Sequence, residues 1–307
     1  FIVGQAETWC SQGNTRSSVA ILYRSNAQSR VLEEGFLRAG IPYRIYGGQR
    51  FYERMEIRNA LAYLRLLISR SDDPAFERVI NIPTRGIGSR TVTDLRQIAR
   101  DNQSSLWSAL SLVLKNHLLT ARARSSLLKF YALVNDLGRS LNELPLGELT
   151  EQVIKRVGLL EYYHAEKGER GQARVENLEE LVSAANAFTV EDSGTSPLQQ
   201  FLDSAALEAG DTQADPYEDS IQLMTLHSAK GLEFPLVFLA GLEENLFPHR
   251  MSVEDPNRLE EERRLAYVGI TRAMRRLVIT YAENRRLHGS ETFNIPSRFV
   301  REIPAEL

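Results

Sequence analysis

Cysteine is almost absent from this chain. Cys10 is the single one in 307 residues, so no internal disulfide can form, and this usage fits a reducing compartment and a cytoplasmic location. No window of about 18 apolar residues occurs, so neither a spanning helix nor a membrane partner is expected. No signal-peptide pattern is legible. Neither sign of charge dominates: 37 Lys and Arg stand against 40 Asp and Glu, for a net charge of −3. The chain is no polycation, and any nucleic-acid binding must come from local patches. No G-x-x-x-x-G-K-[ST] run occurs anywhere, so a phosphate-cradling loop is missing. Cys and His never take up zinc spacing, no nuclease-like carboxylate cluster stands out, and no metal site is expected. Fixed-period repeats and long low-complexity tracts are missing too.

What is present is an ordinary globular composition, 43% hydrophobic and 25% charged, with length enough for two cored domains. The chain opens at Phe1 in mid-pattern and is expected to be a piece of a longer protein. Residues 1–12 have the look of an incomplete helix. Residues 19–23 form a short β run, 27–38 a helix with Val31, Leu32, Gly35 and Phe36 on one face, and 41–46 the next strand. Strand, helix and strand in close succession predict parallel pairing. From 51 to about 209 the helical period takes over. Ile57, Ala60, Leu61, Leu64, Leu67 and Ile68 mark one amphipathic helix. Others are expected at 74–82, 90–101, 105–115, 119–138, 147–157, 172–188 and 197–208. Breaks fall at Asp72-Asp73-Pro74, Pro145 and Ser193-Gly194. A polar linker at 211–219 precedes the return of the β pattern at Ile221. A helix at 257–271 and a strand at 277–281 follow. Arg275-Arg276 and Arg285-Arg286 suggest a modest basic cluster. The pattern predicts an α/β fold in which a parallel-sheet domain (1–46 and 218–307) is interrupted by a large all-helical insertion (47–217).

The stretch 221–247 concentrates the chemistry. An extended segment leads into Thr225-Leu226-His227-Ser228-Ala229-Lys230-Gly231-Leu232-Glu233, then into a second, uncharged apolar run suited to a buried parallel strand. Loops leaving strand ends are where open α/β sheets bind ligands, although a solvated turn has the same composition. Further on, Leu265, Val268, Gly269 and Arg272 share one helical face. A guanidinium in line with an apolar stripe either snorkels at the helix end or points into a cleft. Glu260 and Arg264 form an i,i+4 pair that supports the helix. Thr84-Arg85-Gly86-Ile87-Gly88-Ser89 lies between two helices. It is either a tight turn or a glycine loop whose N–H groups meet a phosphate at a helix start.

Three runs together resemble the UvrD/Rep/PcrA-type superfamily 1 DNA helicases. HSAKGLEF at 227–234 resembles their motif V, EEERRLAYVGITR at 260–272 their motif VI. YRSNAQSR at 23–30 with YGGQRFYERMEIRNALAYL at 46–64 resembles the upstream motifs. The order is right and the matches span most of the chain, nearest to the bacterial UvrD branch.

The resemblance implies a second RecA-like motor domain split by a helical "2B" insertion. It also implies an ATP-dependent 3′→5′ DNA helicase acting in repair, with single-stranded DNA, single/double-strand junctions and repair proteins as partners. ATP with Mg2+ would be held mainly by a first RecA-like domain, whose Walker elements this chain lacks, as it lacks the aromatic-plus-arginine segment before this region. Arg272 is then the arginine that reaches the γ-phosphate, spreading charge over its oxygens. Glu233 approaches the nucleotide sugar and Gly231 lets the backbone turn close to it. Thr225, His227, Arg24 and Asn26 line the single strand, each with a plain alternative as a structural histidine or a strand-end cap. Arg85, Gly86 and Gly88 meet duplex backbone, and Lys230 keeps an open role. A helicase–nuclease subunit and a non-catalytic DNA-binding module remain alternatives, to be told apart by the sequence on either side.

Overall fold

The structure is a computed structural model. It describes residues 1–307 apart from 117–119, 193, 211–213, 215–216, 288–289 and 305–307, and apart from the side chains of 142, 286–287 and 290–292. The expected break at Ser193 and most of the 211–219 linker lie outside the described residues, as does position 119, where one helix was expected to begin.

The chain forms two compact units, one of residues 1–51 with 209–307, the other of 52–208. The first is built on a parallel sheet. Strands β1 (Val19–Tyr23), β2 (Tyr43–Ile45), β3 (Ile221–Thr225), β4 (Phe234–Ala240) and β5 (Ala273–Thr280) stand in the order β2-β3-β1-β4-β5. Every neighbouring pair is parallel. This is a mixed α/β, RecA-like architecture. Strands β1 and β2 are parallel as predicted, with β3 inserted between them.

Alternate residues of β1 feed two cores, so the strand is buried on both faces as its uncharged sequence demands. Val19, Ile21 and Tyr23 face a core closed by α1 (Ile2–Ser11) and α2 (Ser29–Arg38) through Ala6, Trp9, Leu32 and Phe36. Ala20 and Leu22 face one closed by Leu265 and Ala266 of α12 (Pro256–Ile270), with Phe247 and Phe299. The α2 face differs from expectation: Val31 is 58% exposed while Glu33 is buried. Its carboxylate accepts from the Ser29 hydroxyl at 2.6 Å and the Phe51 amide at 3.1 Å, which is how a charge is tolerated there. Residues 1–12 hold a full helix that covers the sheet.

Gly269 of α12 sits against the sheet. A Cβ there would lie 2.6 Å from a Leu226 methyl and 2.8 Å from one of Leu239. Gly269→Ala is therefore expected to cost about 1–3 kcal/mol by overpacking. Chemical denaturation of the variant checks this; an unchanged midpoint contradicts the close approach.

Beyond β5, strands β6 (Asn284–Leu287) and β7 (Ser290–Phe293) form an antiparallel hairpin that the sequence did not suggest. Buried Glu243 fastens it: the carboxylate accepts from Arg285 at 2.6 and 2.7 Å, from Asn294 at 3.0 Å and from the Ala282 amide at 2.8 Å. The basic cluster expected from 275–276 and 285–286 is thereby corrected. Arg285 is neutralised by Glu243, and Arg275 and Arg276 lie exposed within β5.

The second unit is helical: α3 (Met55–Ile68), α4 (Asp73–Val79), α5 (Ser89–Asp101), α6 (Leu106–Asn116), α7 (Ala121–Arg139), α8 (Leu146–Val157), α9 (Leu159–His164), α10 (Glu169–Ala187) and α11 (Pro197–Gly210). The last residues of α11 fall with the first unit. Phe76, Trp107 and Phe130 meet edge to face in its core. Buried polar groups pair within this unit. Arg54 donates to Asn177 at 2.9 Å, Asn177 to Glu56 at 2.6 Å, and Asn59 to the Tyr163 hydroxyl at 2.8 Å. Burial pushes that hydroxyl up to about 12, so it stays neutral. No helix among the described residues is long and apolar enough to cross a membrane.

Candidate functional site

Parallel strands give the sheet two chemically distinct ends. Arg24 follows β1, and Thr225 closes β3, at the C-terminal edge. Glu233 and Arg272 immediately precede β4 and β5 at the N-terminal edge. The length of β4, about 20 Å, separates the edges. Residues 226–233 link them, passing from the end of β3 to the start of β4 across β1, without a helix. Sequence reasoning treated this loop as one locus at the strand ends. The structure corrects that, because Gly231, Glu233 and Arg272 lie at the opposite edge from Thr225, Arg24 and Asn26.

The connecting segment is firmly built. Leu226 and Ala229 are buried in the sheet core. The Leu226 amide donates to Tyr23 O at 2.9 Å, and the Thr225 and Ser228 hydroxyls lie 3.0 Å apart. His227, Lys230 and Gly231 are exposed along it. Gly231 has φ +85° and open space around its missing Cβ, so the turn itself is what requires glycine.

At the N-terminal edge, Arg272 and the end of this segment touch. The Phe234 amide donates to Arg272 O at 2.9 Å, and Arg272 Nη1 donates to Leu232 O at 2.9 Å. Arg272 Nε donates to Val268 O and Nη2 to the Thr271 hydroxyl, each at 3.0 Å. The guanidinium thus caps the last turn of α12 and spans to the next loop. Among the described residues it forms no ion pair, so its charge is held by carbonyls and is not cancelled. Glu233 is exposed beside it.

At the C-terminal edge, Arg24 is gripped by Glu262 of α12. Nε lies 3.0 Å from both carboxylate oxygens and Nη2 2.7 Å from one. Asn26 opens a short turn capped by Ser25, whose Gln28 accepts from the Arg24 and Ser25 amides. Sequence reasoning gave the helix-supporting role to Glu260 with Arg264. The observed pairs are Glu260 with Arg263 and Glu261 with Arg264, while Glu262 is the buried one, 3% exposed. Its spacing from Leu265, Ala266 and Gly269 places it on the buried face, a signal that could have found it.

Arg85 is the arginine expected to meet duplex backbone. Its guanidinium turns inward, donating to Val79 O, Pro83 O and Val157 O at 3.0–3.2 Å, over the rings of Tyr63 and Phe130. Gly86 and Gly88 remain exposed before α5, whose N-terminus has no side-chain cap. Arg85→Ala is expected to lower stability by about 2–3 kcal/mol, through three deserted carbonyls. Thermal melting checks it; a variant that melts like the parent contradicts the inward role.

A family model described as the UvrD-like helicase C-terminal domain matches residues 1–284. The chain belongs to this family. It is 56% identical over 308 residues to DNA helicase II of Escherichia coli, and 54% to that of Haemophilus influenzae. It is 42% identical over 315 residues to the ATP-dependent DNA helicase PcrA of Bacillus subtilis. Each of these alignments takes in 100% of this chain but only 42–43% of the relative. In this UvrD-like chain, Arg24 and Thr225 stand at one sheet edge, and Glu233 and Arg272 at the other.

Proposed function

We propose that this chain is the C-terminal portion of an ATP-dependent 3′→5′ DNA helicase acting in repair, in which the N-terminal sheet edge completes the nucleotide site and the C-terminal edge holds single-stranded DNA. The observation that carries the reading is Arg272: an uncancelled guanidinium on a rigid helix end, beside an exposed carboxylate. A guanidinium so placed suits a triphosphate, and Glu233 suits a sugar hydroxyl. ATP, with Mg2+, supplies the phosphoryl group whose transfer to water drives the motor. Arg272 stabilises the charge that develops on that group, and Glu233 and the Gly231 turn orient the sugar. Thr225, His227, Arg24 and Asn26 offer the strand hydroxyl, imidazole, guanidinium and amide groups without reading sequence. The exposed Gly86 and Gly88 backbone offers N–H groups to duplex phosphates at a junction. The segment 226–233 joins the two edges. Residues 1–51 with 209–307 serve as the split motor domain, and 52–208 as its insertion.

The test is ATP hydrolysis with and without oligonucleotide. The full-length protein is expected to hydrolyse ATP faster when single-stranded DNA is added, and this chain alone to hydrolyse none. DNA-stimulated hydrolysis by the chain alone sinks the reading.

A further inference from the structure

Glu262 is a charged side chain with almost no access to water, and nothing in the proposed chemistry uses it. Its carboxylate collects donors from two separate segments: Arg24 after β1, and the 249–252 turn beyond β4. The His249 amide donates to it at 3.2 Å and the Ser252 hydroxyl at 3.3 Å. The Arg24 grip is bidentate, with the arginine side chain 15% exposed and that of the glutamate 4%. Such a pair is expensive to bury, and a hydrophobic replacement is often as stable. What it does give is a fixed direction for a planar fork. Helix α12, which carries Glu262 on its buried face, also ends on Thr271 and Arg272.

We propose that Glu262 is a positioning residue for strand binding: from α12 it locks the Arg24 guanidinium and the 249–252 turn into one surface at the C-terminal sheet edge. The inference rests on reading Arg24 as part of the strand track. It has a diagnostic sign. Removing a carboxylate beside a track for a polyanion should tighten binding if charge alone mattered. Loss of positioning weakens it instead.

The experiment measures binding of a fluorescein-labelled oligothymidylate to the full-length protein by anisotropy, with thermal melting alongside. Glu262→Gln is expected to weaken binding about tenfold although it removes a negative charge. Arg24→Ala is expected to weaken it comparably. The double variant is expected to be no weaker than Arg24→Ala, because the two act as one unit. Arg24→Lys keeps the charge, loses the fork, and is expected to behave like Glu262→Gln. It carries the test if Glu262→Gln melts too low to measure. Binding by Glu262→Gln as tight as or tighter than the parent overturns the inference, as does additivity of the two losses. If Arg24→Ala weakens binding and Glu262→Gln does not, the positioning role alone fails. If Arg24→Ala and Arg24→Lys both bind like the parent, the strand-track reading fails at Arg24 and the inference with it.

Discussion

Replacing Arg272 by alanine in the full-length protein is expected to slow ATP turnover about a thousandfold, the scale of losing an arginine that stabilises phosphoryl transfer. The structure isolates the effect. Arg272 donates to Val268 O and Leu232 O, so its loss removes a helix-end cap and one loop contact. Those bonds run from a charged donor to carbonyls and contribute about 1.5–3 kcal/mol each, so the melting curve is read beside the kinetics. Oligonucleotide binding should survive, because the strand residues lie at the other sheet edge. Arg272→Lys should fall nearly as far, since an ammonium cannot reach two phosphate oxygens in a plane. Steady-state kinetics and a melting curve check this together. A variant that loses stability but keeps its turnover would show the arginine to be only a cap.

Gly171→Ala is expected to lower stability by about 3 kcal/mol, at the upper end of overpacking costs. Gly171 lies in the first turn of α10, where a Cβ would fall 2.4 Å from Glu166 O and 2.6 Å from Tyr163 O. Those are backbone atoms, so no rotamer change relieves the clash. The turn between α9 and α10 would have to shift, pulling Tyr163 off Asn59 and Glu166 off Arg174. A drop of roughly 5–10 °C in the melting transition of the helical unit is the expected size. Gly4→Ala is the control. It lies within a helix with nothing near its absent Cβ, so alanine should be neutral or slightly stabilising there. Equal melting temperatures for Gly171→Ala and Gly4→Ala would contradict the packing.

The sheet was legible where the sequence speaks locally. Val-Ala-Ile-Leu-Tyr at β1 and the uncharged run at β4 suit buried parallel strands, and 55–68 carries a clear helical period. The structure departs where the signal is short or masked by charge. Helix α9, Leu159–His164, is too brief to show a period. Strand β5 begins at Ala273, earlier than expected, because Arg275 and Arg276 resemble a loop yet sit on an exposed sheet edge. Glu33 and Glu262 are buried for their partners; the spacing of Glu262 from Leu265, Ala266 and Gly269 marks its face, but apolar periodicity does not name the partner. Glu233 and Arg272 could be named as candidates from the motifs. That they sit at the opposite edge from Thr225 could not, because strand order and direction are set by pairings between distant residues.

The separation of the two edges is tested most directly by photo-crosslinking the full-length protein with an azide-bearing probe on the γ-phosphate of ATP, then mapping the adducts by mass spectrometry. Adducts on this chain are expected within residues 231–233 and 271–274. Adducts at 24–28 or 225–228 instead would place the nucleotide at the strand edge and contradict the account.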